Sequence, residues 1–203
     1  MSTQVLWFAT RAAGIVSLLF LTGVVYLGIL GALRWQTRAW PRFATTGFHR
    51  NLALLSVAFL GVHIATAIVD PYTSLGLLAA LVPFSSGYRT LWLGLGVLAL
   101  DLGAAVLVTS LLKNRMSRRT WRAVHWLSYA AWPLAVLHGV GTGTDTTAAW
   151  MVAVNVACVA VMGAAVMVRA STGRKRATAK PIMPGMQRSL VSNVTAGRPA
   201  IRP

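Results

Sequence analysis

Five stretches of the chain are apolar over about the 20 residues that a helix needs to cross a bilayer, and the polar residues gather in the gaps between them. They cover residues 6–33, 48–69, 90–112, 121–140 and 147–168. The second run stops at Asp70-Pro71, a pair that ends helices because proline disfavours helical backbone in the residue before it. The fourth ends in Gly141-Thr142-Gly143. The pattern predicts an all-α integral membrane bundle of about five transmembrane helices, occupying residues 1–169. The apolar stretch 74–82 is too short to span and predicts an interfacial or re-entrant helix. Residues 170–203 lose the apolar periodicity and become rich in Arg, Lys, Thr, Ser, Pro and Gly, which predicts a basic, disordered cytoplasmic tail.

Composition strengthens this picture. Hydrophobic residues make up 56%, mean hydropathy is +0.65, and only 11% of residues are charged, against about 25% in soluble domains. The solvent for most of the chain is therefore lipid. A net charge of +16 would ordinarily raise nucleic acid as a partner. Here the basic residues form no basic domain, so that class is rejected. With five helices, 17 of the 19 lysines and arginines fall on one side, in segments 34–50 and 113–122 and from Arg169 onward. Only Arg11 and Arg89 remain for the other side, with Asp70 and Asp145. The positive-inside rule then places the N-terminus outside and the C-terminus inside. No positive region precedes the first apolar run, so it reads as a retained helix and not as a cleaved signal. Cys158 lies alone within an apolar run and reads as a buried structural thiol.

The candidate chemistry lies in the histidines. There are four, and all fall in two of the predicted helices, His49 and His63 in the second and His125 and His138 in the fourth. Spacings of 14 and 13 residues separate the members of each pair, which is about 20 Å along a helix. The two helices enter from the same side, so His49 lies level with His125 near the inner face, and His63 with His138 nearer the outer face. Two layers so far apart cannot make one tetrahedral zinc site. Two imidazoles facing each other at one level do match the axial demand of a haem iron. A single interfacial histidine is commonly no more than a wet flank. His63 and His138 lie deeper, where ionisable residues are rare and usually functional. Thirteen residues leave the fourth helix out of phase by about 140° on ideal geometry. Pro133, between the two histidines, is the residue expected to kink or re-phase it.

Around these ligands the sequence offers charged and aromatic company. Arg11 near the outer face, and Arg50 and Arg122 near the inner face, are candidates to pair with haem propionates. For the latter two, topology alone is a sufficient explanation. Trp132 lies between the two levels, as a bridge between haems or as packing. Gly14, Gly23 and Gly28 give the first helix a small-residue stripe for close approach. Asp101 sits near the middle of the third apolar run, an unusual place for a carboxylate.

His49-x13-His63, the Trp121-Arg122-x-x-His125-Trp126 opening, His138 followed by Gly141-Thr142-Gly143-Thr144-Asp145, and Arg11-Ala12-Ala13-Gly14 together resemble the ferric reductase-like transmembrane domain. That domain is shared by ferric reductases, NADPH oxidases and the bacterial haem subunit of periplasmic methionine sulfoxide reductase. The resemblance runs over about residues 7–168. It implies two b-type haems, one on His49 and His125 and one on His63 and His138, and electron transfer from the cytoplasmic side to an extracytoplasmic acceptor, such as a flavoprotein or reductase. It also implies residence in the inner membrane of a bacterial-type cell. The full-length reductases continue into a flavin and NADPH domain, whereas this chain carries neither a G-x-G-x-x-G nor a P-loop. An oxidoreductase component is therefore expected, fed by a flavin-containing partner or by quinol. A quinol-oxidising cytochrome b is the second reading. A histidine-based metal-ion transporter is a third, and the separation of the histidine layers and the scarcity of acidic residues argue against it. A plain structural membrane protein is the last.

Overall fold

The computed structural model describes residues 3–71, 73 and 75–178. Among them there are seven α-helices and no strand: α1 Thr3–Leu33, α2 Arg42–Val69, α3 Leu77–Leu81, α4 Thr90–Leu111, α5 Arg118–His125, α6 Ser128–Thr142 and α7 Ala149–Thr178. A short 3-10 turn, Lys113–Arg115, precedes α5. The protein is an all-α membrane bundle. Four of its helices, α1, α2, α4 and α7, are long and apolar enough to cross a bilayer.

The fourth apolar run is not one helix. It is divided between α5 and α6, with the chain turning at Trp126-Leu127. Both residues have φ near −60° and ψ of −21°, closer to 3-10 than to ideal α geometry. Three i→i+3 bonds carry the chain through, from Leu127 to Val124, Tyr129 to Trp126 and Ala130 to Leu127. Pro133, expected to kink or re-phase the run, lies inside α6 without interrupting it. The 15 residues of α6 extend about 22 Å, short of the roughly 30 Å hydrocarbon core.

The remaining boundaries follow local chemistry. Arg34 takes φ 57° and closes α1, with its N–H donating to Gly31 and that of Trp35 to Leu30, each at 3.1 Å. α2 ends at Val69 with Asp70 as its cap, as the Asp70-Pro71 pair requires. Ser117 caps α5, its side chain accepting from the Thr120 N–H at 3.1 Å. Within the stretch 74–82 the described residues, 75–82, include the five-residue α3. α7 continues to Thr178, so residues 170–178, expected to belong to the tail, are helical. The remainder of the expected tail, from 179 on, lies outside the described residues.

Packing joins two helix pairs, α1 with α2 and α4 with α6, and α1 also packs against α6. The α1–α2 seam holds polar groups that satisfy one another away from water. Thr10 donates to Thr66 at 2.8 Å, Ser17 to the Ser56 carbonyl at 3.0 Å, and Ser56 back to the Ser17 carbonyl at 3.1 Å. Bonds of this kind stabilise membrane helix pairs by about 0.6 kcal/mol each. The tightest apolar cluster is formed by Val25 and Ile29 of α1 with Met162 and Ala165 of α7, and Tyr129 and Trp132 of α6 lean on it. Cys158 is buried and free, in keeping with a structural thiol.

Candidate functional site

The α1–α2 pairing decides where two histidines point. α1 carries Gly14 and Gly28, fourteen residues apart, and α2 carries His49 and His63 at the same spacing. Each imidazole enters the notch that one glycine leaves. A Cβ on Gly14 would meet His63 Nδ1 at 2.8 Å, and one on Gly28 would meet His49 at 3.5 Å. In each notch the ring reaches the helix carbonyl four residues earlier, His63 Nδ1 to Thr10 O at 2.8 Å and His49 Nδ1 to Val24 O at 2.9 Å.

The α4–α6 pair repeats the device. His138 Nδ1 lies 2.9 Å from Trp92 O, and the glycine four residues on is Gly96, whose Cβ would clash with the same ring. Gly141 of α6 in turn faces the Trp92 indole. A carbonyl only accepts, so Nδ1 carries the proton in all three histidines. Nε2 is left with the lone pair, the state in which a histidine binds a metal.

The histidines meet in two pairs. His49 and His125 have ring centroids 6.2 Å apart, and His63 and His138 have theirs 6.1 Å apart. Two imidazole nitrogens on one metal ion, each at about 2 Å, put the ring centroids roughly 6 Å apart. Each gap therefore suits one metal ion with an axial ligand on either side. Among the described residues no group of three or more His, Cys, Asp or Glu gathers at one point, and a haem iron asks the protein for only two ligands. His125 differs from the others. Its Nδ1 is buried with no hydrogen-bond partner among the described residues, and its ring stacks on Trp121 at 4.8 Å.

The remaining sequence candidates fall into place unevenly. Arg11 forms an ion pair with Asp145 of the α6–α7 connection, both side chains mostly shielded, and lies against Gly143. Arg89 donates to the Gly141 carbonyl. The Gly141-Thr142-Gly143-Thr144-Asp145 segment thus gathers two arginines at the end of the bundle near His138. Arg50 and Arg122 are exposed at the opposite, basic end, beside His49 and one turn before His125. Trp132 donates its indole N–H to Thr22 at 2.9 Å and leans on the core cluster, which gives it a packing role. Asp101 is exposed on α4. Gly96 and the three carbonyls were not singled out from the sequence. For Gly14 and Gly28 the signal was present, since their spacing matches that of the two histidines across an antiparallel seam.

The described helices form an all-α membrane bundle with two facing histidine pairs, and carbonyls fix the tautomer of three of the four rings. The model of the family described as "Ferric reductase like transmembrane component" matches residues 13–136, and the chain belongs to that family. It is a multi-pass membrane component of oxidoreductase type, in a family whose members generally bind haem. The match includes His49, His63 and His125 and stops just before His138. No curated protein and no solved structure matches the chain.

Proposed function

We propose that the chain is a transmembrane electron conduit holding two b-type haems, with His49 and His125 as axial ligands of an inner haem and His63 and His138 as those of an outer one. The observation that carries this reading is the pair of imidazole gaps, 6.2 and 6.1 Å between centroids, at which three of the four rings offer Nε2 because Nδ1 is bound to a carbonyl. A low-spin iron with both axial positions filled by histidine exchanges electrons and leaves no open position for substrate. The histidines hold and orient the groups, and the carbonyls bared in the glycine notches fix the ring tautomers of His49, His63 and His138. Arg50 and Arg122 lie on the side of the inner site, and Arg11 near the outer one. Their charges are placed to favour propionates, with Arg11 shared with Asp145.

In this reading α5 and α6 together make the fourth of five crossings. The positive-inside rule puts the N-terminus outside and the basic segments inside, in the inner membrane of a bacterial-type cell. A cytoplasmic flavin-containing protein, or quinol from the bilayer, supplies electrons at His49 and His125. An extracytoplasmic acceptor, a flavoprotein or reductase, removes them near His63 and His138. The test is haem content with the dithionite-reduced spectrum of the purified protein. Two low-spin b-type haems per chain are expected. A stoichiometry near one removes one layer, and none after expression with adequate haem removes the reading.

A further inference from the structure

Three of the four histidines are anchored by one device, a carbonyl within a glycine notch on a neighbouring helix. His125 has no such anchor. Its Nδ1 is a buried donor without a hydrogen-bond partner among the described residues. The ring instead stacks on Trp121, at 4.8 Å and 27° between planes, and the Lys113 ammonium lies 4.7 Å from the Trp121 ring centre. Trp121 and His125 sit one turn apart on the same helix, so their stacking holds the ring to its own helix, α5. α5 is only eight residues long. It presents Arg118, Arg119 and Arg122 to the exterior, and His125 is its last residue before the turn at Trp126-Leu127.

Two consequences follow for a ligand held this way. A hydrogen bond from Nδ1–H to a carbonyl raises the basicity of Nε2 and locks the ring direction, and loss of such a partner typically costs 10–100-fold in metal affinity. His125 lacks that contribution, while His49 opposite has it. The inner pair is therefore lopsided and the outer pair is balanced.

We propose that His125 is the exchangeable ligand of the inner site, giving way to a small neutral π-acceptor from solution while His49 stays bound, and that the outer His63–His138 pair refuses the same ligand. In the exchange the iron–Nε2 bond of His125 breaks and one bond to the incoming carbon forms, with no change of oxidation state and no proton transferred. This inference rests on the bis-histidine reading above.

The probe is carbon monoxide, titrated into the dithionite-reduced full chain in lipid nanodiscs and followed by difference spectroscopy, with haem counted in the same sample. About half of the haem is expected to form the carbon monoxide adduct. Trp121→Ala, which removes the stacking partner, is expected to lower the concentration needed for half-conversion several-fold, and His49→Ala, which strips the inner haem, is expected to abolish the adduct. Two haems per chain with no adduct at saturating carbon monoxide overturns the inference and leaves the bis-histidine reading standing. So does an adduct that persists in His49→Ala. A preparation without haem overturns the bis-histidine reading and the inference with it.

Discussion

His138 donates its Nδ1–H to the carbonyl of Trp92 at 2.9 Å, through the gap that Gly96 leaves in α4. The same relation joins His63 to Thr10 past Gly14 and His49 to Val24 past Gly28. Each glycine stands four residues after the carbonyl it exposes. The carbonyl serves both its own helix and the imidazole of another, so the glycine is part of the imidazole's support.

A graded alanine series tests this support. The Cβ of Gly96→Ala falls on the His138 ring, that of Gly14→Ala lies 2.8 Å from His63 Nδ1, and that of Gly28→Ala lies 3.5 Å from His49. At Gly31 there is nothing within 4 Å. Gly96→Ala should lose most of the outer haem, and Gly14→Ala should weaken the same haem by roughly 10-fold or more, the scale of a lost supporting hydrogen bond. Gly28→Ala should be mild and affect only the inner haem, and Gly31→Ala should leave both. Haem content and the low-spin g-values by electron paramagnetic resonance read the series. Equal effects at Gly31 and Gly96 would contradict it.

Breaking the Arg11–Asp145 pair should loosen the end of the bundle near His138. The pair is neither exposed nor fully buried, with side chains 18% and 24% accessible. Asp145→Asn should therefore cost about 2 kcal/mol, between the roughly 0.5 of exposed pairs and the 3–5 of buried ones. In a double-mutant cycle with Arg11→Gln, thermal denaturation in detergent should show the two changes costing less together than their sum. Additive costs would mean the two residues act apart.

Trp132→Phe separates packing from electron bridging. Phenylalanine keeps a ring against the core cluster and loses the bond to Thr22, so stability should fall by about 1 kcal/mol or less with haem content unchanged. Electron transfer between the haems should keep its rate in stopped-flow spectra. A rate reduced tenfold with both haems retained would restore the bridging role.

Direction and donor are tested in liposomes. The chain has no nucleotide-binding motif, so NADPH alone should not reduce the haems. A flavin reductase on the inner side, or quinol in the bilayer, should reduce the inner haem before the outer one. Rapid reduction by NADPH alone, or reduction of the outer haem first, would contradict the proposed flow.

Much of the fold was legible because lipid demands long apolar runs, and Asp70-Pro71 marked the end of α2 in plain sight. The split of the fourth run was hidden. Trp126 and Leu127 are both apolar, and only their backbone angles mark the turn. The visible breaker, Pro133, is accommodated inside α6. The histidine pairs followed from spacing and helix direction. Their supports did not, because a carbonyl has no sequence signature and Gly96 acquires meaning only once α4 is known to lie against α6. The partner of Arg11 was likewise out of reach, since Asp145 becomes its neighbour only when the ends of α1 and α6 meet.

The central claim is that the four histidines serve two haems in the pairing the ring positions give, and single substitutions with spectral resolution of the two haems test it most directly. His63→Ala and His138→Ala should each remove the outer haem and leave the inner one with its own midpoint potential, while His49→Ala should do the converse and His125→Ala should alter or remove the inner haem alone. Loss of one and the same haem on substituting His49 and His138, or retention of both haems in His63→Ala, would contradict it.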